Sequence, residues 1–211
     1  MSNVQLFSTN LLYNTAMIIT LSKPSTLNIL DQNGKMHVGG SQAWYVDNWR
    51  RKSGCGPVAA SNLIWYATGG QGGISRYIEL MNEMFTFITP GMLGIHNSAI
   101  FSDGIKSYGT EHGRQIISQV LDISLLTRKR PNPDMVSQFI RAALDSDAPV
   151  AFLNNSNGSL NNLESWHWVT VIAFNTDTMH AEASDYGKIS KIDILRWLKT
   201  SLLGGTFVYF T

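Results

Sequence analysis

Cysteine is nearly absent from this chain of 211 residues, in which Cys55 is the single cysteine. One thiol excludes an internal disulfide and a cysteine-rich zinc site. Charged side chains are also scarce, at 15% of the residues, and the net charge is only +1. A chain so close to neutrality shows no electrostatic sign of a nucleic-acid or anionic-membrane partner. We therefore expect neither partner.

Long hydrophobic runs are missing as well. No stretch approaches the roughly 20 apolar residues that a membrane-spanning helix needs. The first 20 residues lack a basic segment, and their longest apolar run, Ala16-Met17-Ile18-Ile19, is too short for the core of a signal peptide. The sequence therefore predicts a cytoplasmic protein with no membrane span.

The chain does contain enough apolar residues to form a core. Hydrophobic side chains make up 44% of it, which at this length is typical of one sizeable globular domain. Neither a repeat nor a linker rich in proline or serine divides the sequence. We predict a single domain over residues 1–211, with residues 1–39 as an N-terminal strand and hairpin extension. Asn33-Gly34 predicts the hairpin turn, between strands at 26–30 and 36–38.

Hydrophobic periodicity predicts an α+β fold, in which a helix-rich first part precedes a mainly antiparallel sheet. Gly109 is expected to end the third helix. The predicted helices cover residues 55–68, 74–87, 97–108, 134–144 and 192–202. The predicted strands that follow the hairpin cover residues 115–123, 149–153, 166–174, 179–184 and 206–210.

Cys55 lies at a point that we interpret as a loop turning into a helix, in the sequence Gly54-Cys55-Gly56-Pro57. The N-terminus of a helix presents unpaired N–H groups and the positive end of the helix dipole, and both favour a thiolate over a thiol. Pro57 suits the first helical turn, where its missing N–H is not needed. A lone cysteine is more often a small buried hydrophobic residue, so its role depends on the rest of the chain.

Catalysis by a thiol also needs a base and a group that orients the base. His167 opens an apolar predicted strand after a long polar loop, where its ring can point into a cleft. Asp185 lies 18 residues later, at the end of the next predicted strand. If the two strands pair antiparallel, the carboxylate returns beside the imidazole. Taken singly, His167 is more typical of a core histidine, and Asp185 is equally compatible with a turn residue.

Three motifs in this order resemble those of papain-like cysteine peptidases: Gly54-Cys55-Gly56-Pro57-Val58-Ala59-Ala60, His167-Trp168-Val169 and Asp185-Tyr186-Gly187. The nearest likeness is to the bacteriocin-leader (double-glycine) peptidases and their stand-alone relatives, over roughly residues 40–211. The resemblance implies a papain-like fold, a peptide or protein substrate and no cofactor. It also implies that Cys55 is the nucleophile, that His167 is the base and acid, and that Asp185 orients His167.

The resemblance further implies a glutamine that donates to the oxyanion from about six residues before the cysteine. Trp49 occupies that position here. The nearest glutamine is Gln42, 13 residues before Cys55, and we interpret it as the donor. Asn48 is a closer amide and stays open as the alternative. Tyr186 is a second difference from the family pattern, because such relatives often have tryptophan at this position.

Two other functions remain open. The same thiol chemistry can transfer an acyl group to an amine or a thiol, as in transglutaminase-like and phytochelatin-synthase-like relatives. Alternatively, a catalytically inactive domain can hold a peptide in a tryptophan-walled cleft. The tryptophans near the proposed site in the sequence are Trp44, Trp49, Trp65, Trp166 and Trp168.

Glycine pairs and the other histidines form two further patterns in the sequence. The Gly-Gly pairs that end at Gly40 and Gly205 are compatible with double-glycine cleavage sites and with turns. The remaining histidines form no metal-binding pattern, so no metal site is expected. They are His37, His96, His112 and His180.

Overall fold

The computed structural model describes residues 17–211 and contains both helices and antiparallel strands, which confirms the α+β class. The strands are β1 (Ile18–Thr20), β2 (Asn28–Leu30), β3 (Met36–Val38), β4 (Ser118–Ile123), β5 (Val150–Asn154), β6 (His167–Asn175), β7 (His180–Asp185), β8 (Lys188–Asp193) and β9 (Gly205–Phe210). The helices are α1 (Asn48–Ser53), α2 (Cys55–Ala67), α3 (Gly73–Phe87), α4 (Ser98–Glu111), α5 (Pro133–Asp145) and α6 (Ile194–Thr200).

The main sheet has the strand order β4-β9-β5-β6-β7-β8, and each of these neighbouring pairs is antiparallel. β6 is its longest strand and is almost entirely buried, as its apolar sequence requires. β5 pairs with the first part of β6, and β1 pairs with its last part. Because β6 and β7 run antiparallel, the start of β6 lies beside the end of β7.

Helix α2 is central to the packing. It contacts β5, β6, α3 and α4, and its residues 55–66 are all buried. A helix that is apolar on every side belongs in the core of a domain. The N-terminus of α2 is therefore held in place by its surroundings.

Several elements differ from the sequence-based prediction. Residues 48–53 form the helix α1, capped by the Asp47 side chain, so Cys55 follows a break between two helices and not a loop. Gly54 separates the two helices. The position favours glycine, because a Cβ there would lie 2.5 Å from the Tyr45 ring. Helix α4 continues through Gly109 to Glu111. There the glycine allows close packing, because a Cβ would lie 2.7 Å from Ile116.

The predicted helix at 192–202 is also wrong at its start. Residues 188–193 form the strand β8, which pairs with β7, and the helix begins only at Ile194. The side chain of Asp193 accepts a hydrogen bond from the N–H of Arg196, which fixes the helix start. The sequence did not reveal β8 because its residues are mostly exposed and its pairing partner decides its conformation.

In the described part of the N-terminal segment, one strand pairs with the main sheet and two strands form a hairpin. Residues 1–16 lie outside the described residues. They include most of the first half of the predicted N-terminal extension and the first residue of the apolar run at 16–19. β1 pairs with β6, and β2 and β3 form the predicted hairpin, with Gly34 in its turn. Within residues 17–211, no helix is both long and apolar enough to cross a membrane.

Candidate active site

Cys55 is the first residue of α2 and is buried. Its Sγ lies 4.0 Å from the carbonyl oxygen of Trp166, in the loop before β6. The next residue, Gly56, packs so closely against Ile95 that a Cβ would lie 2.9 Å from that side chain. The thiol therefore sits at a helix N-terminus, where the dipole favours negative charge, and faces the start of β6.

His167 and Asp185 are brought together by the sheet. His167 is the first residue of β6 and Asp185 the last of β7, and the imidazole Nε2 lies 2.7 Å from the Asp185 Oδ1. The antiparallel pairing of the two strands produces this contact, as the sequence predicted. Asp185 also precedes a two-residue hairpin turn, in which Tyr186 and Gly187 have φ values of 48° and 74°. Positive φ at both central residues is typical of a type I′ turn.

The surroundings of His167 favour its charged form. Burial opposes the imidazolium, but the hydrogen bond to Asp185 and the interaction with Cys55 outweigh this effect. Together they raise the pKa of His167 to about 10. An imidazolium that persists at neutral pH can stabilise a neighbouring thiolate, which is the charge pair that thiol catalysis requires.

Tyr186 covers this pair from the solvent side. Its ring stacks on the imidazole with 5.1 Å between centroids and 13° between planes. Its hydroxyl donates a hydrogen bond to Glu164 Oε2 at 3.0 Å, which connects the turn to the loop before β6. Burial, and then this hydrogen bond, raise the pKa of Tyr186, so the phenol stays neutral. Sequence reasoning missed this role, although the Asp-Tyr-Gly-Lys hairpin was a signal for it.

Gln42 lies at the site and Asn48 does not. Gln42 opens a 3-10 turn at 42–44, is buried, and lines the same small pocket as Cys55, His167 and Asp185. Its Nε2 donates a hydrogen bond to the carbonyl oxygen of Arg51 at 2.8 Å, which fixes the direction of the amide. Asn48 is exposed at the first position of α1 and does not line that pocket.

A buried polar network holds the segment that carries Gln42 against α2. The Asn62 side chain accepts hydrogen bonds from the N–H of Gly40 at 2.9 Å and from the hydroxyl of Tyr77, and it donates to Thr170 in β6 at 3.0 Å. Buried networks in which every member is satisfied confer rigidity. Asn62 and Tyr77 therefore position Gln42 indirectly, a role that no local sequence pattern reveals.

This network predicts a strict need for glycine at position 39. Gly39 has a φ of 69°, and a Cβ there would overlap the Ser184 hydroxyl and lie 2.7 Å from Asn62 Oδ1. We expect Gly39→Ala to lower the free energy of unfolding by about 3 kcal/mol, from backbone strain plus overpacking. The matched control is Gly34→Ala, at a similar φ of 78° with no heavy atom within 4 Å, which should lose only about 1 kcal/mol. Urea unfolding measures both, and equal losses would contradict the packing argument.

The Gly-Gly pairs therefore have structural explanations. Gly40 packs against Tyr77, whose hydroxyl would lie 2.5 Å from a Cβ, and Gly204 has a φ of 67° in the turn before β9. Both pairs are conformational requirements of this fold.

The five tryptophans that lie near the predicted site in the sequence are divided between the site and the core. Trp49 and Trp166 are exposed and line an outer groove together with Cys55. Trp168 is buried behind the site, where it stacks on Phe101 and donates to the Ile95 carbonyl at 2.7 Å. Trp44 and Trp65 instead pack edge-on against Tyr77. Proximity in sequence therefore overstated the number of tryptophans at the site.

Two of the other histidines pair with nearby acidic side chains. His37 pairs with Asp31 at 2.9 Å, and His112 pairs with Glu83 at 3.1 Å. The part of the chain from residue 17 onward contains no group of three or more His, Cys, Asp or Glu side chains that is arranged to hold a metal ion.

The chain matches no known protein-family model, and no curated protein sequence shows significant similarity to it. A function for this protein must therefore be derived from the geometry of its own residues.

Proposed function

We propose that this protein is a cysteine peptidase of papain-like fold that hydrolyses peptide bonds through Cys55, His167 and Asp185. One observation carries the proposal: a thiol at a helix N-terminus, an imidazole 2.7 Å from a carboxylate, and a buried amide line one pocket. These groups come from α2, β6, β7 and the 3-10 turn at 42–44, which are far apart in the sequence. A helix carrying the nucleophile and packed on an antiparallel sheet that carries the base also supports the papain-like fold.

The chemistry follows from these positions. The Cys55 thiolate attacks the carbonyl carbon of a peptide bond, and a C–S bond forms while the oxygen becomes an oxyanion. His167 then gives its proton to the amide nitrogen, the C–N bond breaks, and the amine leaves. Neutral His167 next takes a proton from water, which attacks the thioester. The C–S bond breaks and releases the carboxylic acid, the thiolate and the imidazolium.

The oxyanion needs donors that are already in place. The N–H of Cys55 lies at the start of α2, where the helix dipole favours negative charge. The Gln42 amide lines the same pocket and is oriented by the Arg51 carbonyl. This pair of donors is the arrangement that stabilises tetrahedral intermediates of acyl transfer.

The proposal can be tested with a peptide library, made by trypsin digestion of an unfolded protein extract, in water labelled with heavy oxygen. We expect the wild-type protein to produce new carboxyl termini that carry the label, as detected by mass spectrometry. Cys55→Ala should produce none. Capture of the acyl group by added methylamine in place of water would contradict hydrolysis and support acyl transfer. The absence of any cleavage by the wild-type protein would contradict the proposal.

The role of Asp185 predicts a difference between two variants. The carboxylate only needs to accept a hydrogen bond from the imidazole N–H, and the amide oxygen of asparagine can do the same. In a thiolate–imidazolium pair the nucleophile is already deprotonated, unlike in serine triads, where the change from acid to amide is severe. We therefore expect Asp185→Asn to retain at least tenfold more turnover than Asp185→Ala. A difference of this size is on the order of the free energy of one hydrogen bond.

Turnover is measured on the library peptide that is cleaved fastest, and thermal unfolding checks that both variants fold. Near-native activity in both variants would mean that Asp185 is only a turn residue and that another group holds His167.

A further inference from the structure

The inner pocket around Cys55 can admit the oxygen of the reacting carbonyl but not the rest of a peptide. The space enclosed by Gln42, Cys55, His167 and Asp185 amounts to only about 10 Å³, scarcely enough for one water molecule. A peptide must therefore approach the thiol from another side. Cys55 also lines a second, more open cavity of about 330 Å³, which is here named the Cys55 groove.

The Cys55 groove is lined mainly by exposed apolar side chains, beside the polar Lys52 and Ser53. The relative exposure is 46% for Trp49, 95% for Met92, 68% for Leu93 and 51% for Trp166. These side chains come from α1, the loop before α4 and the loop before β6, and they meet around the nucleophile. Exposed apolar side chains that are scattered singly need no explanation, but a contiguous group of them marks a binding surface.

The backbone of Trp166 adds a second observation. Its φ is 58°, a left-handed conformation that is a genuine outlier for a bulky side chain. In this conformation its carbonyl oxygen lies 4.0 Å from the Cys55 Sγ, and its indole forms one wall of the groove. Backbone conformations of this kind persist where the surrounding structure enforces them, and they cluster at active sites and ligand clamps.

We propose that the Cys55 groove binds one large apolar side chain of the peptide substrate, aromatic or branched aliphatic, next to the bond that is cleaved. This inference rests on the proposed function. The volume lies at the lower end of the range of roughly 300–1,000 Å³ for ligand pockets, which suits a single side chain and not a longer apolar segment. Trp49 and Trp166 supply rigid contact area, while Met92 can adapt its shape to the occupant.

The groove can be tested without any peptide substrate, because the chain has one thiol and each alkylation event reports on Cys55. The probes are iodoacetamide and N-naphthylmethyl iodoacetamide, and the quantity measured is the ratio of their rates, relative to the same ratio for N-acetylcysteine. Burial of an apolar group of this size should raise the ratio by about tenfold to a hundredfold. The apolar reagent should also show saturation, because it binds before it reacts.

Two groove variants and one control make the test decisive. Trp166→Ala and Leu93→Asp should each return the ratio most of the way to that of N-acetylcysteine. Leu202→Asp alters another exposed leucine, which is 79% exposed and lies outside the groove, and it should leave the ratio unchanged. Leu93 is exposed, so its replacement tests the groove even if Trp166→Ala disturbs the loop. A wild-type ratio equal to that of N-acetylcysteine, or a ratio unaffected by both groove variants, would overturn the proposal.

Failure of the groove proposal is distinguishable from failure of the proposed function. The ratio of two alkylation rates cancels the reactivity of the thiol and reports only on the groove. Peptide cleavage and its dependence on Cys55 report on catalysis. A peptidase with no selectivity between the reagents would retain its function and lose only this assignment.

Discussion

Replacement of His167 by alanine should lower the rate at which iodoacetamide alkylates Cys55 at pH 6 by about a hundredfold. The reason is the charge pair at the site. Asp185 and Cys55 raise the pKa of His167 to about 10 despite its burial, so the imidazolium that stabilises a thiolate persists throughout the neutral range. Without the imidazolium, the thiolate loses the positive charge that stabilises it, so the reactive form of Cys55 becomes scarcer at pH 6.

The measurement is the alkylation rate between pH 5 and 9, followed by mass spectrometry. The matched control is His180→Ala, which removes an exposed histidine of β7 that contacts neither Cys55 nor Asp185. Peptide turnover should also be lost in the His167 variant, because His167 is the group that we propose to protonate the leaving amine. A wild-type rate that rises tenfold per pH unit up to pH 8, with the same profile in the variant, would contradict the peptidase assignment and favour a peptide-binding domain.

Thermal unfolding gives a second readout of the same charge pair. A group whose pKa is higher in the folded chain than in the unfolded chain stabilises the fold fully below its unfolded pKa, about 6.5 for histidine. That contribution is lost as the pH rises toward the folded value of about 10. In Cys55→Ala no thiol takes part in the proton balance, and Asp185 still raises the pKa of His167. The melting temperature of Cys55→Ala should therefore fall more between pH 6 and 9 than that of the double variant Cys55→Ala/His167→Ala.

Replacement of Gln42 by alanine should lower peptide turnover by about a hundredfold to a thousandfold, the usual effect of removing one oxyanion donor. The buried amide of Gln42 lines the pocket of Cys55 and His167, and the Arg51 carbonyl holds it in one orientation. Its loss should leave the alkylation of Cys55 by iodoacetamide nearly unchanged, because alkylation forms no oxyanion. Turnover and alkylation measured on the same preparation therefore separate the donor role from a general disturbance of the site.

Asn48→Ala is the matched control, since it removes the alternative amide from an exposed position. It should retain turnover near that of the wild-type protein. A loss of turnover in Asn48→Ala with none in Gln42→Ala would reverse the assignment. A parallel loss of alkylation and turnover in Gln42→Ala would mean that the amide supports the local structure and does not act on the oxyanion.

The sequence by itself determined the features that depend on local patterns. Periodicity placed α2, α3 and α5 and the strands β5, β6, β7 and β9 to within a few residues, because buried faces impose a regular spacing on apolar side chains. Asn33-Gly34 indicated the β2–β3 hairpin, since few residues tolerate the backbone of such a turn.

The sequence also indicated three residues of the candidate site, namely Cys55, His167 and Asp185. Each of them stands at the end of an element whose type was correctly predicted. The contact between His167 and Asp185 needed one further assumption, that consecutive strands pair antiparallel. The structure bears out that assumption in the pairing of β6 with β7.

Only the tertiary structure decided the features that depend on contacts between distant residues. β8 is a strand because β7 lies beside it, and its exposed sequence carries no apolar signal of its own. Gln42 reaches the site because Asn62 and Tyr77 hold its segment against α2, whereas Asn48 lies exposed at the start of α1. Tyr186 covers the imidazole because a type I′ turn directs its ring there. Each of these features depends on contacts between residues that are far apart in the sequence. The local sequence of one residue does not reveal which distant residue it contacts.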